Sequence, residues 1–170
     1  MSRIEALLAA LTIEHDTFVA ALEAVDLDLV TAPGVVEDWS VRDLVVHVAF
    51  WAEHAAEAIR LVATDRGDKF DYDTAETDAM NARLLTESRL ITPAAALERE
   101  GQAFEDLVSA LGDLDPALLD VRLGNGDTVA EVIGYDGADH YREHTAHLRA
   151  WFDEDEGGED DPPHDARGLT

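Results

Sequence analysis

The sequence predicts an all-α protein, a four-helix bundle followed by a short acidic tail, and three observations carry that reading. Four segments of about 20–25 residues repeat apolar side chains at helical spacing. Each opens on a side chain suited to capping a helix N-terminus: Ser2, Ser40, Thr92 and Thr128. No segment alternates apolar and polar residues for more than a few positions, so no sheet is expected.

The first helix is placed over 2–25. Ile4, Leu7, Leu8, Leu11, Phe18, Leu22 and Val25 fall on one stripe, and Ser2 with Glu5 forms a capping box. Pro33 and Gly34 mark a loop. The second helix, 40–60, starts at Ser40 with Asp43 near its positive end and carries Val41, Leu44, Val45, Val48, Ala52, Ala55 and Ile59 inward. A connection of roughly 30 residues follows. DRGDKFDYD reads as polar loop and TAETDAMNARLLTES as a short helix capped by Thr74. Pro93 at the first helical position opens the third long helix, 93–112, with Leu97, Phe104, Leu107, Val108 and Leu111 on its apolar face. A second irregular connection closes on the turn Gly124-Asn125-Gly126. Thr128 and Glu131 form another capping box, and the helix they open is placed over 128–152. Gly134 and Gly137 inside it each cost about 1 kcal/mol against Ala, so close packing or a bend is expected there. Residues 1–152 thus read as one domain. Residues 153–170, with eight acids and one base, bury too little to offset chain entropy and read as a disordered acidic tail.

Composition excludes several functions. The 170 residues contain no cysteine, which removes disulfides, thiolate metal sites and a cysteine nucleophile. Thirty-eight acids face twelve bases for a net charge of −26. Nucleic-acid binding needs clustered Lys and Arg, and an anionic membrane surface repels such a chain, so neither partner is expected. Lys69 is the sole lysine, a balance that suits a GC-rich genome, a halophile's surface or ordinary solubility. The N-terminus carries no export signal and no run reaches the ~18 apolar residues of a membrane span, which points to the cytoplasm. An apolar bundle face leaves room for a homodimer, although self-repulsion opposes it.

The chemistry lies in the histidines. His164 falls in the tail, whereas HYREHTAH places His140, His144 and His147 on one helix. His140 and His144, at i and i+4, share a face and can hold one ion; His144 and His147, at i and i+3, offer a competing pair. The best third ligand is His47, on the inward stripe of Leu44 and Val48. His54, one heptad on, lies about 10 Å along the axis, too far to share that ion with His47. Asp136 and Asp139 are candidates to orient an imidazole from behind. Trp39, Trp51 and Tyr141 are candidates to line a pocket beside His47, or to be ordinary core.

Two segments then carry a family resemblance. WSVRDLVVHVAFW resembles the second-helix signature of the DinB-like four-helix bundles, and DHYREHTAHLRAW their fourth-helix signature. That superfamily takes in mycothiol-dependent maleylpyruvate isomerase N-terminal domains, bacillithiol transferase-like proteins and small self-resistance proteins. The resemblance implies an up-down-down-up bundle, with the long connection crossing between the second and third helices. It places the family's three metal-binding histidines on His47, His140 and His144. His147 stays outside that set.

Three neutral imidazoles on a divalent ion (zinc, nickel or iron) leave positions for water or substrate. With no cysteine in the chain, thiol chemistry needs an external low-molecular-weight thiol, and the resemblance implies mycothiol or bacillithiol. The expectation is therefore a metal-dependent enzyme acting on a small molecule as a thiol S-transferase, isomerase or hydrolase. The alternative is a non-catalytic, stress-related binding or sequestering bundle with structural histidines.

Overall fold

The computed structural model describes residues 1–156, with side chains as far as Phe152. It is mostly helical. In chain order the elements are α1 (Arg3–Glu23), β1 (Pro33–Val36), β2 (Trp39–Ser40), α2 (Val41–Ala63), α3 (Thr77–Ser88), α4 (Pro93–Gly112), α5 (Val129–Ile133) and α6 (Asp139–Glu156). Short 3-10 turns occupy the connections. From residue 157 the expected tail lies outside the described residues, and its first four residues continue α6. No described helix is long and apolar enough to cross a membrane.

The local capping signals act as expected. Ser2 and Glu5, and Thr128 and Glu131, form reciprocal capping boxes. Ser40 does so with Asp43, and Thr92 caps α4 with Pro93 in its first turn. Each satisfies backbone N–H groups that the helix leaves open. One assignment shifts: Asp73, rather than Thr74, caps the turn that leads into α3, accepting from the Ala75 amide at 2.9 Å. A carboxylate one residue earlier offers the stronger acceptor.

α2 is the central element. Val45, Val48, Ala49, Ala52, Ala56 and Ile59 are among its many buried side chains. Its alanines allow α4 to approach closely, and these two helices make the most extensive interhelical packing, followed by α1 with α6. Long-range pairs give the directions. Arg99 reaches Glu53 at 2.7 Å and Arg60 reaches Asp106 at 3.7 Å, so α2 and α4 run parallel. Leu11 lies against Gly137 and Glu14 meets Arg142, so α1 and α6 also run parallel. His47 meets His140 while His54 meets Asp136, so α2 opposes α6.

Two features depart from the sequence-based expectation. The first is a two-stranded antiparallel sheet, where no sheet was expected: Pro33 pairs with Ser40 and Val36 with Trp39. Glu37 in its turn takes a positive φ (52°), and Gly34 takes one (120°) within β1, where the register shifts between Pro33 and Val36. Strands this short carry no readable alternation, and packing on α2 and α6 holds them. The second is a break in the last helix. Gly134–Ala138 forms a π-helical segment, and Gly137 leaves helical geometry altogether (φ −106°, ψ −107°). A Cβ on Gly137 would stand 3.3 Å from Leu11 Cδ1, so the glycine serves both the bend and the close approach of α1.

Candidate metal centre

His47 sits two turns into α2, and its position depends on how that helix begins. Asp43 accepts from the Ser40 amide at 2.9 Å, the Ser40 hydroxyl at 2.7 Å and the Ser88 hydroxyl at 2.6 Å. Burial works to raise the Asp43 pKa, but hydrogen bonds from Ser88 and Ser40 outweigh it and hold the carboxyl below its ordinary value. One carboxylate thus ties the start of α2 to the end of α3, and α3 carries Asn81 to His47.

His140 and His144 enter from α6, one turn apart. His140 Nε2 lies 2.9 Å from His47 Nε2 and 3.1 Å from His144 Nε2. The three residues offer ligand atoms that all lie within 4.8 Å of one another. Two imidazole nitrogens on one ion at ~2.0–2.1 Å stand about 2.9 Å apart at a right angle and about 3.3 Å apart at the tetrahedral angle. The observed separations therefore suit a shared ion.

The chemistry of the donors agrees. Burial pushes His47 down to about 4, with His147 adding to it. Burial, then the neighbouring His47, pushes His140 down to about 3. His144 is pushed down further, by burial and then by His140, His47 and His147. All three are neutral at pH 7, the form that coordinates a metal. The Tyr135 carbonyl accepts from the His140 ring. It lies in the π-helical segment, which directs the remaining nitrogen, Nε2, toward the cluster. The Asn81 amide lies beside the His47 ring and favours an N–H there. His47 Nδ1 and Asn81 Oδ1 have no other partner, which makes them a natural pair. With both outer nitrogens protonated, the Nε2 atoms of His47 and His140 face each other lone pair to lone pair. A cation relieves that repulsion.

The cluster opens into a cavity of about 680 Å³ whose walls include Trp39, Trp51, Tyr72 and Tyr135. Trp39 packs edge-on to His47 with ring centres 4.9 Å apart, placed there by the hairpin. Trp51 also lines the cavity, as the sequence allowed, but Tyr141 does not. It is fully buried on the adjoining face of α6, donating to Glu100 at 2.7 Å, with His15 stacked on Phe104 alongside.

The other candidates separate clearly. Asp136 does orient an imidazole, but that of His54, at 2.7 Å. Asp139 is exposed and pairs with Arg142 instead. His54 stays outside the triad, and His147 meets the edge of the cluster through His144, Nδ1 to Nδ1 at 3.1 Å. Sequence reasoning missed Asn81 and the Tyr135 carbonyl. No local pattern marks either, because one reaches the site from α3 and the other depends on a break in helical hydrogen bonding.

Comparison with known proteins follows the same lines. The family model described as mycothiol maleylpyruvate isomerase N-terminal domain matches residues 8–150. A crystal structure of an uncharacterised protein from Escherichia coli UTI89 superposes with a TM-score of 0.78 at 16% identity, covering 92% of this chain and 96% of that one. At that identity it shows a shared fold. No curated protein matches the chain.

Proposed function

The chain belongs to the mycothiol maleylpyruvate isomerase N-terminal domain family, and from that premise we propose that it is a divalent-metal-dependent enzyme acting on a small molecule with an external thiol as co-substrate. The observation that carries this reading is the convergence of three neutral imidazoles, those of His47 and His144 buried and that of His140 half-buried, at the end of a cavity large enough for two small reactants. His47, His140 and His144 would hold the ion, with zinc, nickel and iron all suited to an imidazole set. A divalent ion bound there supplies Lewis acidity and lowers the pKa of a coordinated thiol or water.

The chain's own residues do the rest. The Tyr135 carbonyl and Asn81 fix the ring orientations of His140 and His47. Trp39 and Trp51 shield the cluster from bulk water and give a bound ligand flat apolar walls. The chain contributes no thiol, having no cysteine, so S-transfer or thiol-assisted isomerisation requires one from solution. The scaffold for this site is an up-down-down-up four-helix bundle, supported by the parallel α2–α4 and α1–α6 pairs and the opposed α2–α6 pair. We place the protein in the cytoplasm, where low-molecular-weight thiols are kept reduced, and expect pairing of bundles into a homodimer that sedimentation at high salt would reveal.

The test is metal content joined to thiol binding. Protein purified without added metal should carry about one equivalent, and a thiol should raise its melting temperature only when metal is present. Metal far below stoichiometry after supplementation, with no thiol effect, would return the histidines to a purely structural role.

A further inference from the structure

The cavity has an unusual charge. Five carboxylates line it, those of Glu37, Asp38, Asp78, Asp136 and Glu143, and no lysine or arginine does. Arg89 comes near, but it pairs with Asp38 at 3.9 Å and does not line the cavity. Three neutral imidazoles add no charge, so even a divalent ion would leave the cavity net negative, within a chain of net charge −26. An anion entering this space would give up hydration and meet only like charges around the ion.

Aromatic side chains, Trp39 and Trp51, line the same cavity beside His47. Aromatic faces attract cations and accept apolar groups, and they offer an anion nothing in return.

We propose that this cavity selects an uncharged or cationic organic substrate and rejects carboxylates and phosphates. Maleylpyruvate, the compound in the family's name, is a dicarboxylate, so this chain acts on something else. The inference rests on the cavity being the substrate site, as proposed above, and does not depend on the thiol.

Two matched probe sets test it on the full, metal-supplemented chain. The first is N-acetylcysteine against N-acetylcysteine amide, one thiol with and without a carboxylate. The second is maleate against maleamide, with no thiol. By calorimetry at low salt the uncharged member of each set should bind at least tenfold more tightly, and high salt should shrink the gap. The rim variant Asp78→Asn/Glu143→Gln should shrink it as well. If the maleamide preference appears while neither thiol binds, the thiol reading fails and the charge selection stands. Equal or tighter binding of the carboxylates overturns the selection.

Collisional quenching gives a readout that needs no ligand. In a Trp151→Phe chain, fluorescence comes only from Trp39 and Trp51, since the chain has three tryptophans. Caesium should quench it better than iodide, relative to neutral acrylamide, and the rim variant should bring the two ions closer together. Iodide quenching as efficient as caesium, unchanged by the rim variant, also overturns the proposal.

Discussion

Acidification of the metal-free protein should unfold it through the histidine cluster, by an amount that follows from burial. His47 is held at about 4 and His140 at about 3 in the folded chain, against about 6.5 for a solvated imidazole. Between those limits the unfolded chain takes up protons that the folded chain refuses, so stability falls as pH falls. At pH 7.5 neither group contributes. At pH 5 each has withdrawn about 2 kcal/mol, so the pair withdraws about 4 kcal/mol, and His144 adds to the loss in the same direction. Other carboxylates also respond to pH, and relief of self-repulsion at low pH works the opposite way. The comparison that isolates the cluster is therefore the pH profile of the parent against that of His47→Gln, by urea unfolding with a chelator present. The variant should lose about 2 kcal/mol less than the parent between pH 7.5 and 5. Parallel profiles over that range would refute the claim that these imidazoles are buried neutral. Added zinc should steepen the parent's dependence, because protons and metal compete for the same nitrogens.

Three further outcomes are expected. His144→Ala should lose most of its metal, measured by elemental analysis, and His147→Ala should retain it; loss of metal from His147→Ala with His140→Ala unaffected would instead make His144 and His147 the ligand pair. Tyr141→Phe removes a donor 2.7 Å from the buried Glu100 carboxylate, which should cost about 1–3 kcal/mol and lower the melting temperature by about 3–8 °C with metal content unchanged. Gly124→Ala would drive a Cβ into the Asp68 carbonyl oxygen and to 2.9 Å from that of Phe70; because both neighbours are backbone, unfolding should become easier by about 3 kcal/mol, and an unaffected denaturation midpoint would show that the turn can shift.

What the sequence determined by itself is what depends on neighbours along the chain. Capping at Ser2, Ser40, Thr92 and Thr128 works through hydrogen bonds three residues long, so the starts of the main helices were legible. Helical spacing put His140 and His144 on one face, and the apolar stripe around Leu44 turned His47 inward. What only the tertiary structure decided depends on partners far apart in the chain. The π-helical break at Gly134–Ala138 answers the approach of Leu11 from α1, and it turns Asp136 toward His54 rather than toward His140. The Pro33–Ser40 hairpin persists because α2 and α6 receive it, and it carries Trp39 onto His47. Asn81 arrives on α3, whose end is tied to the start of α2 by the bond from Ser88 to Asp43. The charge of the cavity likewise belongs to no single segment. Its carboxylates come from the hairpin turn, α3, the π-helical break and α6, and only folding brings them round one space.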